Sequence, residues 1–129
     1  MGAPLAERHC VVCKPGTPTL PRAEVERLLP QLSGWSVGHE GSHDRLTKTY
    51  RFQGFMPGVE LVDAIARIAE AEGHHPDLHL TYGSLAVELW THAAGGLTEN
   101  DFVLAAKIDR IAPSALRGHL PITAEDEPN

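Results

Sequence analysis

Residues 78–92, Leu78-His79-Leu80-Thr81-Tyr82-Gly83-Ser84-Leu85-Ala86-Val87-Glu88-Leu89-Trp90-Thr91-His92, decide the fold class. Leu78, Leu80 and Tyr82 alternate with His79 and Thr81, and beyond Gly83-Ser84 the apolar Leu85, Val87 and Leu89 alternate with Ala86, Glu88 and Trp90. A period of two belongs to a strand with one buried face. The glycine between the runs makes them a hairpin, with His79 on its solvent face and His92 at a strand end.

The same alternation occurs upstream in residues 35–39 and 46–52, around the turn-rich Glu40-Gly41-Ser42-His43-Asp44. It predicts a second hairpin in which Tyr50 and Phe52 share a face. Between the hairpins Phe55, Val59, Val62, Ile65, Ala66 and Ala69 recur at three and four, with Glu60, Asp63, Arg67 and Glu70 opposite. This is an amphipathic helix ending at Gly73, with Asp63 and Arg67 as an i,i+4 pair. Pro21 opens a shorter helix carrying Val25, Leu28, Leu29 and Leu32, closed by Pro30 and Gly34. Thr98 is a candidate N-cap for a third helix, with Asp101 at the capping-box position and Leu97 stapled to Phe102. Leu104, Ile108 and Ile111 form its buried stripe. The order α-β-β-α-β-β-α predicts an α+β fold: a four-stranded antiparallel sheet with three helices on one face.

A chain of 129 residues, 42% of them apolar, is long enough for one core and too short for two ordinary domains. Residues 1–18, with Pro4, Pro15, Gly16 and Pro18, read as an irregular arm contributing little to the core. Residues 19–112 form the domain, and 113–129 a mobile tail. No apolar run is long enough to span a membrane, and no charged start followed by an apolar stretch marks a leader, so the expected address is the cytoplasm. The formal charge of −6, without a lysine or arginine cluster, argues against nucleic acid as a partner.

Eight histidines are present, and His74, His75, His79 and His92 fall within nineteen positions. Imidazole titrates near neutrality, so such a cluster suits metal binding or proton transfer. His75 and His79 stand four apart, but Pro76 disfavours a helix there and His79 belongs to a strand. No acid or thiol stands at a zinc spacing, so no metal is expected. His74 and His75 at a helix-to-strand junction and His92 at a strand end are placed for general acid–base work. The competing reading is structural: His74 and His75 interact with the helix C-terminus and His92 with a loop carbonyl. Asp101 is likewise explained by the capping box alone, and the two roles are compatible.

Glu70, His74-His75-Pro76, Tyr82, His92 and Asp101 stand at the intervals of the pterin-4a-carbinolamine dehydratase signature. Gly95-Gly96-Leu97-Thr98-Glu99-Asn100-Asp101-Phe102 also resembles that family. The resemblance, from about Cys10 to Ile111, implies the same α-β-β-α-β-β-α fold, with homodimers or homotetramers built by extending the sheet. It implies dehydration of a 4a-hydroxytetrahydropterin to the quinonoid dihydropterin with no metal or organic cofactor. The pterin is the substrate. His74, His75 and His92 would act in acid–base catalysis, with Asp101 orienting a histidine. Glu70, Pro76, Asp77, Leu78 and Tyr82 would shape the substrate wall. The run 74–80 and Trp90-Thr91-His92 also resemble a non-catalytic branch that assembles RuBisCO in chloroplasts and carboxysomes, which would make the RuBisCO large subunit a partner.

Cys10-Val11-Val12-Cys13 has redox or half-zinc spacing, yet it lacks a second cysteine pair and a following βαβ pattern, and reads as a reduced pair on the arm. Trp35 and Trp90 read as core or interface anchors rather than pterin-stacking groups.

Overall fold

The computed structural model describes residues 3–39, 41, 43–115 and 121–122. Its elements are α1 (Arg22–Leu28), β1 (Ser36–Gly38), β2 (Arg45–Phe52), α2 (Met56–Glu72), β3 (Asp77–Thr81), β4 (Ser84–Leu89), α3 (Glu99–Ala115) and a short β5 (Pro121–Ile122). The four expected strands pair antiparallel in the order β1-β2-β4-β3. The register sets Leu46 opposite Leu89 and Tyr50 opposite Leu85 across β2 and β4, and Leu78 opposite Val87 across β3 and β4. The period-two pattern thus becomes one apolar face: Leu46, Phe52, Leu85, Val87 and Leu89 have no exposed surface. Leu61 and Ile65 of α2 and Phe102, Leu104 and Ile108 of α3 are equally buried in the same core. Each such side chain contributes about 1.5–3 kcal/mol on burial. The opposite face carries His79, paired with Ala86 and exposed, as the alternation predicts.

Two glycines matter to how α2 sits. At Gly58 a Cβ would lie 2.6 Å from Phe52 Cζ and closer still to Leu80 Cδ1, so only glycine lets the helix approach the sheet there. Gly73 ends the helix at φ +66°, a left-handed cap whose N–H donates to the Ala69 carbonyl.

The arm departs from expectation. Leu5, in a 3-10 turn over Leu5–Glu7, is 3% exposed and belongs to the core. Its turn is tied to α3 by Lys107 Nζ donating to the Ala6 carbonyl at 3.0 Å and by ion pairs of Arg8 with Glu99 and Arg110 with Glu7. At the other end, α3 runs through Pro113 to Ala115, since a proline in a last turn forfeits one backbone bond without stopping the chain. From the segment read as a tail, Pro121 and Ile122 add a fifth strand against Phe52 and Arg51. The rest of that segment, 116–120 and 123–129, lies outside the described residues. Trp35 is the core anchor expected of it, its Nε1–H donating to Asp109 Oδ1 at 2.9 Å. Among the described residues no helix is long and apolar enough to cross a membrane.

Candidate active site

The Gly73 cap turns the chain out of α2, and the two residues that follow are His74 and His75. Pro76 then leads into β3. Across from them β4 ends, and Thr91 pairs with Gly96, closing a turn that carries His92 before α3 begins. One helix end, two strand ends and one helix start therefore meet around a cleft of about 450 Å³, lined by His74, His75, Pro76, Asp77, Trp90 and His92 among others.

His74 is the most constrained of the three imidazoles. Its side chain is 11% exposed, and its Nε2 lies 2.6 Å from Oδ1 of Asp101, which is wholly buried. A carboxylate only accepts, so Nε2 carries a proton, and in the neutral ring the lone pair is on Nδ1. The other oxygen of Asp101 accepts from the Thr98 backbone N–H and from the Thr91 hydroxyl, each at 2.9 Å. With the Thr91 proton committed there, the Thr98 hydroxyl donates to Thr91 Oγ1 at 2.8 Å. One carboxylate thus completes half a capping box for α3 and binds a histidine that lines the cleft.

His75 is arranged likewise at the rim. Its Nε2 lies 2.6 Å from Glu70 Oε2, with both side chains mostly exposed. These Nε2 bonds go to carboxylates, while the His74 backbone N–H also caps α2 by donating to the Ala69 carbonyl at 3.2 Å. His92, exposed, stacks on Trp90 with ring centroids 3.8 Å apart.

Of the nine residues singled out in the sequence, His74, His75, Pro76, Asp77 and His92 line the cleft, Asp101 stands behind His74, and Glu70 holds His75. Leu78 and Tyr82 are not brought there. Leu78 packs against the core, because the β3 pleat turns it towards the helices. Tyr82, 78% exposed, sits at the tip of the β3–β4 hairpin. A five-residue strand spans roughly 17 Å, so the tip is remote from the end that carries the histidines.

Sequence reasoning missed the contribution of the arm. Val11, Val12 and Cys13 line the same cleft as the histidines. Asn100 straps them down, its Oδ1 accepting from Val11 N–H at 2.9 Å and its Nδ2 donating to the Val11 carbonyl at 2.7 Å and to Cys13 Sγ at 3.4 Å. Glu72 holds the preceding residue, accepting from Cys10 N–H at 2.7 Å. Burial works against the Glu72 charge, but the Cys10 N–H, His9 and Lys107 outweigh it and hold the carboxyl below its usual range. Burial, followed by the Glu72 and Asp101 carboxylates, pushes the Cys10 thiol up to about 12. The position of Asn100 beside Asp101 was the one signal available in the sequence. Trp90 is neither core nor shelf, since His43 stacks on the face that His92 leaves, at 3.6 Å.

The family model described as pterin 4 alpha carbinolamine dehydratase matches residues 18–111. A Rickettsia bellii (strain OSU 85-389) relative, named as a candidate pterin-4-alpha-carbinolamine dehydratase, is 45% identical over 105 residues, covering 81% of this chain and 91% of its own. Pterin-4-alpha-carbinolamine dehydratase 2, mitochondrial, of Arabidopsis thaliana is 40% identical over 111 residues, covering 84% of this chain and 59% of its own. Among solved structures, a transcriptional coactivator/pterin dehydratase from Brucella melitensis superposes with a TM-score of 0.67 at 30% identity, over 73% of this chain and 98% of that one. A pterin dehydratase-like RuBisCO assembly factor of the alpha-carboxysome shares the fold, with a TM-score of 0.52 at 23% identity over 62% of this chain and 90% of that one. The chain belongs to the pterin-4-alpha-carbinolamine dehydratase family.

Proposed function

We propose that the cleft removes water from a 4a-hydroxytetrahydropterin and releases the quinonoid dihydropterin. The observation that carries this reading is the convergence of His74, His75 and His92 on one cleft, two of them with Nε2 bound to a carboxylate. Loss of the 4a-hydroxyl needs a proton delivered to the departing oxygen and another taken from a ring nitrogen. The C–O electron pair leaves with the oxygen as water, and the pair freed by the lost N–H proton forms the C=N bond. One imidazole in its protonated form gives the first proton, a second receives the other, and exchange with solvent resets both. Asp101 and Glu70 fix the nitrogen that faces the substrate, so the contribution is mainly one of position. Pro76 and Asp77 shape the wall beside them. Relatives at 40–45% identity with dehydratase names support the same reading.

Dehydration of synthetic 4a-hydroxytetrahydropterin by the wild type, His74→Ala and His92→Ala is the test. Each substitution is expected to lower kcat about 10²-fold or more, and unchanged rates in both would remove the reading. The assembly-factor alternative has fold likeness on its side, and recovery of soluble RuBisCO on co-expression, with no dehydration, is the result that would favour it.

A further inference from the structure

We propose that Trp90 is a positioning residue for His92, with His43 holding the indole from behind. The inference rests on the dehydratase reading of the cleft. His43, Trp90 and His92 form a column of three rings: the outer imidazoles lie 3.6 Å and 3.8 Å from the indole, at interplanar angles of 16° and 21°. Both faces of the indole are therefore covered, which leaves no surface on which a pterin could stack. A tryptophan lining the cleft with neither face free acts through its neighbours.

His92 needs such a neighbour. Its backbone is fixed, because Thr91 N–H donates to the Gly96 carbonyl at 2.8 Å and Gly95 N–H to the Thr91 carbonyl at 2.9 Å. An exposed side chain on a fixed backbone still has three staggered χ1 wells open to it. Stacking selects one. Offset aromatic contacts of this kind carry a definite geometric preference, so the indole fixes the plane of the imidazole as well as its place.

The column is anchored at its far end. Arg45 Nη2 lies 3.1 Å from His43 Nε2, and a guanidinium only donates, so Nε2 accepts and the ring proton sits on Nδ1. Arg45 Nη1 in turn donates to Glu88 Oε1 at 2.8 Å, which ties β2 to β4. Each histidine of the cleft then has its own holder: Asp101 for His74, Glu70 for His75 and Trp90 for His92. The third holder works by contact area instead of charge.

The test pairs kinetics with proton NMR of the full-length wild type, Trp90→Leu, Trp90→Phe and His43→Ala. The indole ring current should move the His92 ring protons upfield in the wild type, and Trp90→Leu should return them towards the free-histidine position. The same variant should lower kcat about three- to tenfold, with a smaller change in KM. Trp90→Phe should restore most of the loss, and His43→Ala should give a weaker effect in the same direction. An active wild type whose Trp90→Leu variant keeps its kcat, or whose His92 protons do not move, overturns the positioning role and leaves the dehydratase reading intact. A wild type no faster than buffer removes both. Should Trp90→Leu not fold, His43→Ala decides the matter: a His92 shift and kcat both unchanged in that variant overturn the proposal.

Discussion

Replacing Asp101 by asparagine keeps the shape of the side chain and changes what it can accept. In the wild type one oxygen accepts from His74 at 2.6 Å and the other from Thr98 N–H and Thr91 Oγ1 at 2.9 Å. An amide has one acceptor atom to share between those two sides. If it stays towards Thr98 and Thr91, the NH₂ group faces His74 Nε2, and the imidazole must move its proton to Nδ1. The nitrogen that the wild type leaves as a lone pair is then blocked. If the amide flips instead, an N–H faces the Thr98 N–H in a fully buried site, which costs more. Three charge-assisted bonds become neutral ones at about 1 kcal/mol each, partly offset because an amide is less costly to bury than a carboxylate. The expected net destabilisation is about 1–3 kcal/mol, read by urea unfolding. For the rate, a histidine in the wrong tautomer costs about 10⁴-fold where it is the sole base. Here two further imidazoles share the cleft, so kcat is expected to fall about 10²–10³-fold. Nitrogen-15 imidazole spectra should report His74 protonated on Nε2 in the wild type and on Nδ1 in the variant. A switched tautomer with wild-type kcat would refute the role given to Asp101.

Three other outcomes follow from the geometry. Gly58→Ala forces a methyl group against Phe52 and Leu80 and should cost about 1–3 kcal/mol, seen as a lower Tm; an unchanged Tm would contradict the packing of α2 on the sheet. Cys10, raised from 9.0 to about 12, should have about a thousandfold less thiolate at mildly alkaline pH. The higher intrinsic nucleophilicity of such a thiolate recovers part of this, leaving alkylation about 50-fold slower than for a free thiol, as mass spectrometric mapping can measure. Glu72, whose pKa is lowered from 4.5, stabilises the docked arm at neutral pH, and this contribution is lost as pH falls through the depressed value. The Val12 methyl resonances should therefore stay in place until below 4.5, and Glu72→Gln should loosen the arm at every pH; release beginning above that value contradicts the assignment.

What could be read from the chain, and what could not, divides along the range of the interactions. The alternation of Leu85, Val87 and Leu89, the helical spacing of Val62, Ile65 and Ala69 and the Thr98–Asp101 cap are local patterns, and each became the element predicted, although Leu61, outside the predicted stripe, is also buried in α2, while Phe55 and Ala66 are exposed. Spacing also brought His74, His75 and His92 into one place, because a helix end and two strand ends have definite positions in this fold. Tyr82 shows the limit of spacing: β3 leads away from the cleft, and an interval in the sequence carries no direction. The arm strap depends on Glu72 and Asn100 meeting residues 62 and 89 positions away, and the Trp90 column on a histidine from another hairpin. Such contacts arise from packing, for which proline and glycine content in residues 1–18 gave no signal. Leu5 entered the core for the same reason: the α3 surface offered it a place.

The proposed role of the His74–His75–His92 cleft is turnover of a pterin carbinolamine. Its most direct test is the rate at which 4a-hydroxytetrahydropterin disappears with wild-type protein, with the triple variant His74→Ala/His75→Ala/His92→Ala, and in buffer alone. The wild-type rate should rise with protein concentration well above buffer, and a folded triple variant should be indistinguishable from buffer. A wild-type rate equal to buffer, or a triple variant as fast as the wild type, would contradict it.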